Sequence, residues 1–311
     1  MKYSIVFPGQ GSQSLGMLSD LNNNFPVVNE IFHEASDAIN VDLWKIVNED
    51  LEALNLTENT QPAMLAAGYA TYKILSEEMS LAPVSMAGHS LGEYSALVAS
   101  NSLNFFDAIR LVRKRGQLMQ SAVPKGAGSM AAILGLEDDL IIEECNRASE
   151  KGVVEAVNFN SPGQVVIAGE KEAVAYACEL LKESGAKRAL ILPVSVPSHC
   201  SLMKEAANEF KNSIENVDIR MNDVKVIHNV DAECSNNIEE IKSKLIEQFH
   251  MPVLWTSSVK KMKELEVRRL IEAGPGKVLA GLTRRIDKSL SASAIIDVSS
   301  LKSTIEEMSN A

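Results

Sequence analysis

Val84-Ser85-Met86-Ala87-Gly88-His89-Ser90-Leu91-Gly92-Glu93-Tyr94 is the stretch from which the fold is read. Residues 84–87 predict a short buried strand, and the small residues of 88–99 turn it into a helix. The junction is Gly88-His89-Ser90-Leu91-Gly92, a G-x-S-x-G pattern between strand and helix. A turn this sharp needs positions 88 and 92 free of bulky Cβ groups, so that Ser90 projects its hydroxyl from a strained corner. The helix that follows brings the Leu91 N–H beside the serine, where such a donor can stabilise an oxyanion.

Working outward, residues 3–7 read as a second buried strand, stopped by Pro8-Gly9. Thr60 is expected to cap a helix with Pro62 in its first turn and a stripe of Leu65, Tyr69, Tyr72, Leu75 and Met79. A further helix spans 105–122, before Pro124 and Gly126-Ala127-Gly128. The pattern then changes: strand 129–134, helix 138–149, strands 153–159 and 164–168 around the turn Ser161-Pro162-Gly163, helix 172–184, strand 187–192. That βαββαβ order is the ferredoxin-like arrangement. After Pro197, helical stripes alternate with strands at 224–230 and 268–272, ending in a helix through Arg285. The expected class is α/β, a large body with a mostly parallel sheet covered on both faces. The expected division is 1–126 and 196–311 for the body, with 127–195 as an inserted ferredoxin-like small domain.

At 311 residues the chain suits about two domains and buries roughly three quarters of its unfolded surface. Hydrophobic residues at 46% and charged residues at 23% exclude a disordered or fibrous chain. No apolar run reaches bilayer length, and residues 3–7 are too short for a signal-peptide core, so a cytoplasmic chain is expected. A net charge of -11 opposes nucleic-acid binding. Cys145, Cys178, Cys200 and Cys234 form no CxxC pair, which argues against zinc and disulfide frameworks and for reduced thiols. Gly9-Gln10-Gly11 lacks the third glycine of a dinucleotide loop, since position 14 is Ser14. Gly274-Pro275-Gly276-Lys277 fails as a phosphate loop, with Ile271 and Val278 at the deciding positions.

A serine hydroxyl needs a base. Among His33, His89, His199, His228 and His250, His89 is the chain neighbour of the serine and points elsewhere. His33 lies in a polar helix, His228 inside an apolar strand and His250 at a helix end. His199 follows Pro197 in a loop where the insert closes, the position from which active-site loops of such sheets emerge. No Asp or Glu stands out as a third member. A thioester asks less of one, because a thiolate leaves readily at a pKa of about 8.5. On the helix over 105–122, Arg115 has Leu111, Leu118 and Met119 as helical neighbours and so lies on or beside the apolar stripe. Its charge needs a partner. A structural Asp or Glu serves equally well; a substrate carboxylate is the functional alternative.

These residues together resemble one family. Phe7-Pro8-Gly9-Gln10-Gly11-Ser12-Gln13, the elbow, Arg115-Gly116, Asn158-Phe159-Asn160-Ser161-Pro162-Gly163-Gln164 and Pro197-Ser198-His199 occur in the order of malonyl-CoA:acyl carrier protein transacylases of bacterial type II fatty-acid synthesis. Each motif alone is weak; the ordered set, running to Gly274-Pro275-Gly276-Lys277, is specific. The resemblance implies a hydrolase-like large domain with the active site between it and the insert. It implies Ser90 as nucleophile and His199 as base. The Gln248 carbonyl, in Gln248-Phe249-His250-Met251-Pro252-Val253-Leu254-Trp255, would orient the histidine. It further implies Arg115 on the malonyl carboxylate, the amides of Gln10 and Leu91 as oxyanion hole, and His89 and Asn160 lining or supporting the pocket. No motif position departs from the family, and His250 stands where the family varies. The expected partners are malonyl-CoA as substrate and an acidic acyl carrier protein, with no bound cofactor, no metal, no nucleic acid, no membrane and a monomeric state. A hydrolase of thioesters or esters, an acyltransferase serving a polyketide carrier, and a silent carrier-binding scaffold are the rival readings.

Overall fold

The computed structural model describes residues 1–194 and 196–310. The insert boundary expected at 195 and the chain end at 311 lie outside the described residues. In chain order the strands are β1 (Tyr3–Phe7), β2 (Ser85–Gly88), β3 (Gly128–Leu134), β4 (Val154–Ser161), β5 (Gln164–Glu170), β6 (Arg188–Ile191), β7 (Lys225–Ile227), β8 (Arg269–Ala273) and β9 (Ser291–Ile295). One sheet runs β7-β2-β1-β8-β9, and every pairing in it is parallel. All five residues of central β1 are buried, as a strand covered by helices on both faces must be.

The second sheet, β4-β5-β3-β6, is antiparallel. With the helices Asp138–Ala148 and Lys171–Glu183 it forms the ferredoxin-like insert, around its own core of Ile133, Ile141, Val165, Ile167 and Leu181. The insert touches the body beside the site: Val253 and Asn158 bridge in parallel, with Phe159 N–H donating to the Val253 carbonyl and Val253 N–H to Val157. The fold is therefore the expected α/β body plus insert.

Local departures have local causes. The helix expected to start at Thr60 spans Thr57–Glu78, behind an uncapped Leu56. The Thr60 hydroxyl donates instead to the carbonyls of Leu54 and Leu56, so it ties down the chain entering the helix. The strand expected over 224–230 ends at Ile227, because His228 and Asn229 turn to meet Glu93. Asn104 caps the helix Phe105–Ser121, its side chain accepting from Phe106 and Asp107 N–H. The short helices Ser19–Asn24, Leu43–Glu49 and Leu51–Leu54, edge strand β9 and the C-terminal helix Val298–Ser309 were not foreseen, whereas the polar helix expected around His33 spans Val27–Ile39. Among the described residues no helix is long and apolar enough to cross a membrane.

Candidate active site

β1 and β2 pair with Phe7 opposite Gly88, so the chain leaves both strands at the same edge of the sheet. Ser90 follows β2 with a φ of 51°, in the left-handed region, and the helix Gly92–Ala99 starts two residues later. The missing Cβ groups of the elbow are a packing necessity. One added at Gly88 would lie 1.9 Å from the Gly92 carbonyl carbon; one at Gly92 would lie 2.1 Å from the Phe7 carbonyl oxygen. Asn229 pins the corner from both sides. Its Oδ1 accepts from Ser90 N–H at 2.7 Å, and its Nδ2 donates to the Gly88 carbonyl at 2.7 Å.

His199 is also left-handed, with a φ of 69°, and only 3% exposed. Its Nδ1 lies 2.6 Å from the Gln248 carbonyl oxygen, which can only accept, so Nδ1 carries the hydrogen. Nε2 is thereby the free base, 2.8 Å from Ser90 Oγ. Burial, reinforced by the nearby Arg115 cation, pulls the His199 pKa down to about 3. The imidazole is neutral at pH 7.

Arg115 is buried, 1% exposed, and no carboxylate lies within ion-pair distance of it among the described residues. Its Nη1 donates to Gln61 Oε1 at 2.9 Å and its Nη2 to Gln248 Oε1 at 2.9 Å, with Ser90 Oγ at 3.2 Å from Nη2. The rings of Tyr94 and Phe249 face it with centroids 5.5 and 5.4 Å away. Gly116 makes the Gln61 contact possible: a Cβ there would come within 2.7 Å of the Thr57 carbonyl, where the two helices meet. The structural Asp or Glu left open by the sequence is not what Arg115 found.

His89 and Asn160 meet, Nε2 to Oδ1, at 2.8 Å, joining the elbow to β4 of the insert. His89 also packs on Trp255, and burial lowers its pKa. Gln10 lies in the turn after β1, where Gly9 is pressed against the His89 carbonyl, and its side chain reaches Thr57. Among the described residues neither the Gln10 nor the Leu91 amide donates to a protein acceptor. All eight candidate residues thus fall on one corner of the sheet edge and the loops around it. His33 pairs with Asp37 on the surface instead.

The acyl transferase domain family matches residues 4–303. The chain belongs to that family. It is 53% identical over 307 residues to the malonyl CoA-acyl carrier protein transacylase of Haemophilus influenzae, covering 98% of each chain. With the enzyme of that name from Escherichia coli K12 it shares 50% over 306 residues, 98% of this chain and 99% of the other. Among solved structures, a type II PKS acyl-carrier protein in complex with its malonyl-transacylase (PlMCAT:AntF) superposes with a TM-score of 0.97 at 50% identity, covering 99% of this chain and 100% of that one. An acyl carrier protein S-malonyltransferase from Vibrio cholerae gives 0.95 at 51% identity, covering 98% and 100%.

This acyltransferase also holds groups that the sequence reading passed over. Glu93, His228 and Asn229 are all buried, and Gln61 supplies half of the Arg115 cradle. One signal was available: Glu93 is an acid in an otherwise small and apolar helix, all eight residues of which are buried. Among the described residues no cluster of three or more His, Cys, Asp or Glu is placed to hold a metal ion.

Proposed function

We propose that this enzyme transfers the malonyl group from malonyl-CoA to the phosphopantetheine thiol of acyl carrier protein through a malonyl-Ser90 ester. One observation carries the reading. A serine paired to a neutral histidine lies 3.2 Å from a buried arginine whose side-chain acceptors, among the described residues, are neutral. Such a cation is costly unless a ligand completes it, and arginine's planar fork suits a carboxylate.

In the first half-reaction Ser90 Oγ attacks the thioester carbonyl while His199 Nε2 takes the hydroxyl proton. Ser90 N–H is already committed to Asn229, so the oxyanion falls to the amides of Gln10 and Leu91. The tetrahedral intermediate collapses, the C–S bond breaks, and His199 returns the proton to the departing CoA thiolate. In the second half-reaction the carrier thiol gives its proton to His199 and attacks the ester, and Ser90 recovers the proton. The Gln248 carbonyl holds the Nδ1–H tautomer throughout, doing with a backbone dipole what an acid does in other triads. His89 and Asn160 support the pocket wall from the elbow and the insert.

The division at 127 and 195 belongs to this reading, since the separate insert core and the bridge at Asn158 leave the site between two units. So does a cytoplasmic monomer with no resident cofactor. All the site groups come from one chain, and the four free cysteines suit a reducing compartment. An acidic carrier needs a basic surface. Arg110 and Arg113 are engaged by Asp107 and Glu58, whereas Lys187 and Arg285 face one cleft between insert and body.

The test is the intact mass after brief exposure to malonyl-CoA, with Ser90→Ala beside it, followed by a chase with holo carrier. A Ser90-dependent adduct that moves to the carrier is expected. Loss to water alone would make the protein a hydrolase, and no adduct would make it a scaffold. The likeness to a transacylase solved with a type II PKS carrier favours one second reading, a polyketide carrier as acceptor. Chasing with both carriers separates the two.

A further inference from the structure

Glu93 reaches no reacting atom, yet it is fully buried in the first turn of the helix behind Ser90. Its Oε1 accepts from His228 Nδ1 at 2.8 Å. Its Oε2 accepts from the Asn229 N–H at 2.9 Å and from Gln248 Nε2 at 2.8 Å. The last contact governs Gln248. A primary amide has two ends of nearly equal shape, and only its surroundings decide which way it points. Here the Nε2 end faces acceptors alone: Glu93 Oε2, the Ser90 carbonyl at 3.1 Å and Asn229 Oδ1 at 3.4 Å. The ionised acceptor is the strong one. With Nε2 so held, Oε1 is turned to Arg115 Nη2 at 2.9 Å. Flipped, the amide would set N–H donors against a guanidinium that has only donors.

We infer that Glu93 is a positioning residue which, through the Gln248 side-chain amide, aims Arg115 at the acyl group and so sets the preference for acyl groups ending in a carboxylate. The inference rests on the reading that Arg115 receives that carboxylate. It leaves the Gln248 backbone carbonyl, and with it His199, out of the chain of effects. A negative charge one amide away also offsets the buried cation while leaving the Ser90 side of the guanidinium open to a substrate.

The experiment measures the rate of Ser90 acylation by malonyl-CoA and by acetyl-CoA from intact masses, with thermal melts on every variant. Glu93→Ala is expected to lower the malonyl-to-acetyl ratio by about tenfold, the scale of one hydrogen bond to a charged group. Glu93→Gln keeps an acceptor for Gln248 and should recover most of the ratio. Gln248→Met removes the amide but keeps the backbone carbonyl; on that background Glu93→Ala should change the ratio no further. Equal losses on both substrates in folded Glu93→Ala, or a further fall on the Gln248→Met background, would overturn the inference. If Glu93→Ala does not fold, Glu93→Asp replaces it. It keeps the charge but falls short of Gln248, and an unchanged ratio there would also overturn the inference. Arg115→Ala is the control. An unchanged ratio in Arg115→Ala removes the carboxylate reading and this inference with it. A changed ratio there with none at Glu93 removes this inference alone.

Discussion

Replacing Arg115 by alanine separates substrate recognition from chemistry, because malonyl and acetyl thioesters differ at this residue and not at the reacting carbonyl. In the free enzyme the guanidinium is held by Gln61 Oε1 and Gln248 Oε1, each at 2.9 Å, between two aromatic rings. A malonyl carboxylate beside Ser90 would be desolvated by the same walls. Removing one partner of a buried, hydrogen-bonded ion pair costs about 3–5 kcal/mol. At about 1.4 kcal/mol per factor of ten, that is about a hundredfold to a few thousandfold in kcat/KM for malonyl-CoA. Acetyl-CoA has no carboxylate to strand. It loses only the Nη2 contact to Ser90 Oγ at 3.2 Å, a neutral acceptor, worth about tenfold or less. Stability moves both ways: truncation leaves two Gln oxygens without a donor but removes a buried cation, so a melt must accompany the kinetics. Release of CoA thiol on each substrate, with holo carrier in excess, gives both constants. Parallel losses in a folded variant would refute the carboxylate role.

Other outcomes follow from the same geometry. With the His199 pKa drawn down to about 3, kcat/KM should stay level as pH falls from 7 to 5; an acid limb centred near 6.5 would contradict a buried, neutral base. Burial pulls the His199 pKa from the ordinary 6.5 to about 3, so between those values the unfolded chain binds more protons at His199 than the native one, and burial of His89 acts in the same direction. Stability should therefore fall as pH drops through that window, by up to about 1.4 kcal/mol per pH unit for His199, readable from urea midpoints. Gly92→Ala places a Cβ 2.1 Å from the Phe7 carbonyl, with backbone on both sides, and should yield little folded protein; a normal melt would show that the elbow can relax. Asn104→Ala removes the cap of the helix that carries Arg115 and should cost about 1 kcal/mol with little change in the malonyl-to-acetyl ratio.

Much was determined by the order of residues alone. The strand-to-helix elbow at Ser90, the split insert and the alternation of strands and helices rest on local pattern: small residues where backbones approach, apolar runs where strands are covered, and period-3.6 stripes on helices. Ser90, His199 and Arg115 stood out because a hydroxyl in an elbow, an imidazole at a loop and a cation beside an apolar stripe carry their chemistry in their side chains. Thr60 shows the reach of that method. A hydroxyl before a helical stripe reads as a cap, but its partners Leu54 and Leu56 are known only when the preceding turns are folded.

What the tertiary structure decided is which groups meet. The third partner of His199 is a carbonyl, and every residue has one, so no spacing distinguishes the one at Gln248. The sequence left Arg115 a choice between a structural acid and a substrate. Packing resolved the contacts by placing two neutral amides there, from Gln61 on one helix and Gln248 at the end of another. Glu93 is separated by more than a hundred residues along the chain from its donors His228 and Asn229, and they converge because β7 pairs beside β2 in the sheet. Local pattern encodes where backbone must turn and which faces must be dry; only the folded sheet decides which buried polar groups satisfy one another, and those contacts are what set the charge and aim of the site.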